Sequence, residues 1–258
     1  MKTPTIIPWP GGKSRLAPQL FELMDWKHTT YVEPFAGAAA MLFLRPQPAK
    51  AEVLNDINGE LVNLYQVVKY HLDELARQFR WQLVARQEFS RLLQSPPQTL
   101  TDIQRAARFL YLQKTCFGGK VSGQSFGVDV GRPPRINLLR IEEDLSAAHL
   151  RLAQVTIEHL PWDRCMARYD RPETFFFCDP PYWEVEGYGV PFGLEQYESL
   201  ATTMRGLQGR ALLTINDHPE MRRVFAGFRS VRLQTRYTIG AGAAAKRAPR
   251  YELAVMSW

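Results

Sequence analysis

Apolar positions along this chain follow two rhythms. Short runs of strand length sit near both ends, and helical spacing dominates between them. Thr30-Tyr31-Val32 predicts a strand, Glu33-Pro34-Phe35-Ala36-Gly37 a turn after it, and Ala38 to Leu44 a helix of good helix formers. Ala51 to Leu54 predicts a second strand, which Asn55-Asp56 ends. From about Gly59, Leu61, Val62, Leu64, Tyr65 and Val68 line one helical face. The helical pattern resumes from Leu72 to about Gln113, broken at Ser95-Pro96-Pro97. Residues 115–137, rich in Gly, Ser and Pro, predict a loop or hairpin, and Ile141 to Leu152 is helical again. Val155 to Ile157 predicts a strand. Thr174 to Cys178 and Ala211 to Ile215 have the unbroken apolar character of buried parallel strands. Val231 to Ile239 and Tyr251 to Val255 predict a β-pair around a Gly/Ala-rich loop. Strands at both ends with helices between them predict an α/β sheet interrupted by an insertion at about 58–140.

Composition narrows the class. The 258 residues are 45% hydrophobic and 22% charged, which excludes disordered, collagenous and coiled-coil chains. No window reaches the roughly 18 uninterrupted apolar residues of a membrane helix. The start, Met1-Lys2-Thr3-Pro4, has no apolar signal core. Cys116, Cys165 and Cys178 make neither a metal spacing nor a disulfide framework, and the five histidines are scattered. A cytoplasmic protein without a metal is expected. The net charge of +6 is uneven: +5 over residues 101–140, −8 over 141–200 and +7 over 201–258. Two basic blocks around an acidic one point to a polyanion such as nucleic acid.

Four motifs carry candidate chemistry. Pro10-Gly11-Gly12-Lys13-Ser14 matches the tail of a phosphate-binding loop, but the glycine that motif needs five positions before Gly12 is Ile7. What remains is a tight turn whose Lys13 can meet a carboxylate. Glu33 to Gly37 is a strand–turn–helix junction where a small ligand can touch backbone. Gly240-Ala241-Gly242, with Ala245, fits a dinucleotide pattern only loosely and opens no helix, so it reads as a loop. Asp56, at the end of the second strand, can bind a ribose hydroxyl pair, cap the following helix, or both. Phe175 to Trp183 is a buried strand running into Asp179-Pro180-Pro181-Tyr182. Two prolines remove two amide donors, so a carboxylate and unsatisfied carbonyls form acceptors for an exocyclic amine. An aromatic beside them can stack on a base.

Asp179-Pro180-Pro181-Tyr182 resembles the signature of amino-group methyltransferases. Trp9-Pro10-Gly11-Gly12-Lys13, Glu33-Pro34-Phe35-Ala36-Gly37 and Leu54-Asn55-Asp56-Ile57-Asn58 resemble, in order, the N-terminal motifs of the Dam-type (D12 class) DNA adenine-N6 methyltransferases. The resemblance continues through Thr214-Ile215-Asn216-Asp217-His218-Pro219, Tyr237-Thr238-Ile239-Gly240 and Glu252-Leu253 and covers nearly the whole chain. It implies a Rossmann-like class I methyltransferase sheet, built from residues 1–57 and 141–258. It also implies a mainly helical target-recognition insertion at 58–140 that carries a β-hairpin.

The resemblance also implies residue roles. S-adenosyl-L-methionine would be the cofactor. Trp9, Pro10, Gly11 and Lys13 would line its methionine end. Glu33, Pro34, Phe35, Ala36 and Gly37 would form the floor. Asp56 would hold the ribose, with Ile57 and Trp162 against the adenine; core packing is the other reading of Trp162. Asp179 and the Pro180 carbonyl would accept the amine of an adenine flipped out of double-stranded DNA, and Tyr182 would stack on it. Phe117, at the tip of a Gly-rich hairpin, would wedge into the duplex. Ser122, with Lys120 and Gln124, stands where GATC-specific members carry an arginine. Arg105, Arg108, Lys114, Arg132 and Arg135 would meet phosphates. The protein would act as a monomer, with a dimer on DNA as the alternative. An RNA or protein amide methyltransferase is a second reading, although such proteins usually begin the signature with Asn. A catalytically silent DNA-binding homologue is a third, against which Lys13, Asp56 and Asp179 stand.

Overall fold

A computed structural model of the chain describes residues 3–127, 131, 136–185, 187–235 and 250–258. Among them are seven strands: β1 (Thr30–Glu33), β2 (Ala51–Asn55), β3 (Val155–Glu158), β4 (Thr174–Cys178), β5 (Arg210–Asn216), β6 (Arg229–Thr235) and β7 (Arg250–Met256). They form one sheet in the order β3-β2-β1-β4-β5-β7-β6. β1 to β5 pair in parallel, and β7 runs antiparallel to both of its neighbours. The order reverses between β1 and β4, so the carboxyl ends of those strands diverge and open a crevice. The architecture is Rossmann-like, as expected.

Helices cover both faces. They are α1 (Ala17–Leu23), α2 (Ala40–Leu44), α3 (Gly59–Tyr70), α4 (Leu72–Phe79), α5 (Arg86–Gln94), α6 (Asp102–Thr115), α7 (Ile141–Leu152), α8 (Trp162–Tyr169), α9 (Leu194–Gly206) and α10 (Pro219–Val224). Alternation along β4 feeds two cores: Phe175 and Phe177 join the cluster under α1–α7, while Phe176 and Cys178 join the one under α8–α10. Each fully buried phenylalanine contributes roughly 1.5–3 kcal/mol of transfer free energy. The first cluster also takes in Phe79, Phe89, Phe109 and Leu110, so the segment 58–140 shares a continuous core with the sheet.

The long helical stretch expected after Leu72 is three helices. Prolines mark the second break, but the first, at residues 80–85, carries neither Gly nor Pro. It is set by packing, because Phe89 of α5 turns back into the core beside α6. Helix α2 starts at Ala40 rather than Ala38, because Ala39 adopts a left-handed φ of 50°. β6 ends at Thr235, and the expected strand extension to Ile239 and the loop at Gly240-Ala241-Gly242 lie outside the described residues. Among the described residues, no helix is long and apolar enough to cross a membrane, and no group of three His, Cys, Asp or Glu could hold a metal ion.

Candidate active site

At the carboxyl ends of β1, β2 and β4 lies a cleft of about 470 Å³. The structure brings Trp9, Pro10, Lys13, Glu33, Pro34, Phe35, Ala36, Gly37, Asp56, Ile57, Trp162 and Asp179 together on its walls. Gly11, Pro180 and Tyr182 do not line it.

Close backbone approach builds one end. Gly37 has φ +48°, and a Cβ there would lie 2.8 Å from Trp9 Cδ1, so the indole lies directly on the glycine. The Tyr65 hydroxyl donates to the Gly37 carbonyl at 2.5 Å. The Gly37 amide donates to Asp56 Oδ2 at 2.9 Å, and the Asn58 amide to Oδ1 at 2.9 Å. Asp56 therefore does not cap α3. Asn58 does, accepting from the amides of Glu60 and Leu61 at 3.1 and 3.2 Å. Burial raises the Asp56 pKa, against the lowering effect of the two amides. Each of its oxygens keeps a lone pair for a further donor.

Asn55, quoted in a motif but assigned no role from sequence, ties three loops together. Its Nδ2 donates to the Pro34 and Leu160 carbonyls at 2.9 and 3.0 Å, and its Oδ1 accepts from the Leu160 amide at 2.8 Å. Its placement at the end of a buried strand was the available signal. The apolar wall is Phe35 stacked on Trp162 at 6.1 Å, with Phe192 edge-on to Phe35 at 5.7 Å. Trp162 Nε1 donates to Gln196 Oε1 at 2.9 Å. Ile57 is half exposed beside them. Tyr188, Phe192 and Gln196 were not foreseen, because the stretch after Tyr182 has no periodic signal.

Asp179 stands at the other end. Lys13 Nζ and Thr214 Oγ1 both reach its Oδ1 at 2.8 Å, so Oδ2 has no donor among the described residues. Burial raises the Asp179 pKa, and Lys13 opposes it. Lys13 itself is buried and donates to the Gly11 carbonyl at 2.5 Å. Gly11 has φ +71°, and a Cβ there would meet the Tyr188 hydroxyl at 2.7 Å. No described donor reaches the Pro180 carbonyl, whereas the Pro181 carbonyl accepts from the Tyr197 hydroxyl at 2.5 Å. Tyr182, expected to stack on a base, stands behind the cleft wall. Its ring is buried under the Lys13 ammonium, 4.6 Å from the centroid, and its hydroxyl donates to Glu252. The ring facing the cleft beside Asp179 is Tyr188.

The candidate DNA contacts divide. Phe117 is 47% exposed, yet it sits at the base of its loop rather than the tip. Cys116 bridges to Phe126, and the Phe117 amide donates to Ser125 at 2.8 Å. That single bridge replaces the expected hairpin ladder, because glycines at 118, 119 and 123, all with positive φ, turn the chain too sharply for paired strands. Lys120 and Ser122 are exposed. Gln124 is turned inward, donating to Gln113 Oε1 at 2.6 Å and to the Lys120 carbonyl at 2.8 Å. The expected phosphate contacts are occupied internally. Arg105 pairs with Glu60 at 2.5 Å and Asp102 at 3.1 Å. Arg108 donates to the Leu92 and Leu93 carbonyls at the end of α5. Lys114 is largely buried 4.0 Å from Asp144, and desolvation lowers its pKa. Arg132 and Arg135 lie outside the described residues.

The chain is similar to known methyltransferases over most of its length. M.CviBI, a Type II methyltransferase of Paramecium bursaria Chlorella virus NC1A, is 26% identical over 239 residues, covering 90% of each chain. A DNA adenine methylase of Serratia marcescens is 31% identical over 191 residues, 70% of this chain and 67% of its own. A solved structure of SMU.472, a candidate methyltransferase complexed with SAH, aligns with a TM-score of 0.39 and 10% identity, over 95% of this chain and 52% of that one. The fold assignment rests on the strand order and not on that likeness. The model of the D12 class N6 adenine-specific DNA methyltransferase matches residues 9–239. A match of that extent, running from the Trp9 turn through the Asp179 turn to the edge of the sheet, makes this chain a member of the D12 class N6 adenine-specific DNA methyltransferase family.

Proposed function

We propose that the protein transfers a methyl group from S-adenosylmethionine to the N6 amine of an adenine flipped out of duplex DNA. The observation that carries this reading is the Asp179 carboxylate at the cleft wall, whose Oδ1 is held twice and whose Oδ2 has no donor among the described residues. The cleft fits the cofactor. Gly37, which a Cβ would push into Trp9, leaves backbone bare beside the half-buried Asp56 carboxylate. Asp56 would hold the ribose hydroxyls, Ile57 and Trp162 the adenine, and the Trp9–Lys13 turn the methionine end. When bound, S-adenosylmethionine supplies an electrophilic methyl group on a cationic sulfur.

The chain supplies position and charge. An amine conjugated with its ring is a poor nucleophile. Asp179 Oδ2 and the Pro180 carbonyl would each accept one amine hydrogen, drawing the nitrogen lone pair out of conjugation. Lys13 and Thr214 favour the charged carboxylate against the effect of burial and fix it before the substrate arrives, which avoids reorganisation during the reaction. A duplex hides this amine, so the base must leave the stack.

The test is Asp179→Ala. Tritiated-methyl transfer to unmethylated plasmid DNA should fall by at least about 100-fold, the scale of losing a preorganised electrostatic partner. A gel shift on the same preparation should be unchanged, because the carboxylate addresses the amine and not the duplex. Turnover within tenfold of wild type would remove Asp179 from the reaction.

A further inference from the structure

Resting on that reading, we propose that Glu252 is a positioning residue of methyl transfer: it acts through Lys13 and Tyr182 to hold Asp179 in its reactive orientation. Glu252 lies on β7, the antiparallel strand between β5 and β6, opposite Asn216 and Leu233. Its side chain is 2% exposed and reaches under the Asp179 turn from a strand that contributes nothing to the cleft.

Two lines of contact lead from Glu252 to Asp179. Its Oε2 accepts the Tyr182 hydroxyl, and Tyr182 is three residues beyond Asp179 in the same turn. The same Oε2 is 3.9 Å from Lys13 Nζ, which is 2.8 Å from Asp179 Oδ1. The Lys13 ammonium is thereby placed between two carboxylates, over the Tyr182 ring and against the Gly11 carbonyl. A buried ammonium needs partners on every side, because unpaired burial is expensive. Glu252 is the partner on the side away from the cleft. Without its charge, Lys13 has one carboxylate to follow and can ride with Asp179 instead of anchoring it. Two carboxylates to one ammonium also leave the cluster net negative, which suits a reaction that moves positive charge from sulfur to nitrogen.

The test uses the full chain, unmethylated plasmid DNA and S-adenosylmethionine, and reads the single-turnover rate constant and the two KM values. Glu252→Gln keeps the shape and the acceptor for Tyr182 but removes the charge. It should slow transfer roughly 10- to 100-fold, the kinetic equivalent of one hydrogen bond to a charged group. Both KM values should stay within about twofold, since an interaction that matters in the transition state moves kcat and not uniform binding. Glu252→Asp should recover part of the rate. Leu233→Ala, across the ladder from Glu252, is the packing control: it should lower Tm and leave the rate alone. Should Glu252→Gln fail to fold, Tyr182→Phe removes the hydroxyl donor without altering the carboxylate and should slow transfer with the KM values kept. Wild-type rates in the variant that carries the test would overturn the inference, as would an equal loss in Leu233→Ala. A wild-type protein that methylates nothing would instead overturn the functional reading, and this inference with it.

Discussion

Glu33 lies beneath the cleft with 2% of its surface exposed and accepts the Tyr31 hydroxyl at 2.9 Å. Desolvation pushes its carboxyl up to about 8, against the lowering effect of the Tyr31 and Leu42 hydrogen bonds and Arg45. A folded-state pKa raised above the ordinary 4.5 means that the native protein binds the proton more tightly than the unfolded chain. Its contribution is therefore fully present below about 4.5 and is lost as pH rises through about 8. Glu33→Gln, which cannot ionise, should gain stability relative to wild type as pH rises from about 5 to about 8. Tm measured across that range checks this, and parallel curves would refute it. At this scale the sequence singled out motif residues, such as Asp56 and Asp179, that the fold brings to one cleft. It placed Asn55, Thr214 and Glu252 in motifs but assigned them no role, because a single polar residue in an apolar strand does not reveal which loop it will meet. Tyr182 shows the same limit. Its place in the motif is fixed, but the direction of its ring depends on a partner 70 residues away.

Among the elements, α6 joins the segment 58–140 to the chain leading into the cleft. Thr101 and Gln104 close a capping box at its start, a signal legible as Thr-x-x-Gln. Near its end, Gln113 is fully buried and its Nε2 donates to the Pro8 and Gly119 carbonyls at 3.3 and 3.2 Å, while its Oε1 takes the Gln124 amide. One side chain thus links the helix, the loop after it and the segment leading into Trp9. Gln113→Ala should cost about 1–3 kcal/mol, since it leaves buried polar groups unpaired. It should also speed proteolysis in the loop at 117–127 ahead of global unfolding. Urea denaturation and limited digestion measure the two effects; an unchanged digestion pattern would show that the loop is held by other contacts. Strands with unbroken apolar runs, such as β4, were readable because every residue is buried on one face or the other. The break between α4 and α5 was not readable, because it answers to packing rather than to a breaker residue.

For the whole molecule, charge pattern and motif order carried the class, and the structure shows which basic side chains already have partners. Arg105, Arg108 and Lys114 have partners within the protein, and the exposed part of the loop, Phe117, Lys120 and Ser122, is the proposed reading head. Phe117→Ala should weaken specific duplex binding about 5- to 100-fold, as expected from stacking worth roughly 1–3 kcal/mol. Gel shifts, and methylation across a randomised-target library, decide it; wild-type affinity and preference would place recognition elsewhere.

The continuous core beneath the sheet and the segment 58–140 bears on how such an enzyme can change its target over evolutionary time. Phe79, Phe89 and Phe109 are packed in one cluster with Leu20, Phe43 and Phe177. Transplanting the segment from a relative would replace more than a third of that cluster at once, so on the proposed reading specificity is not a cassette to be exchanged. The loop at 117–127 contributes Cys116's bridge and Phe126 to its footing but exposes Phe117, Lys120, Ser122 and Gly123. On the proposed reading, new target sequences are reached by point changes at those exposed positions, one base preference at a time, with the scaffold left in place.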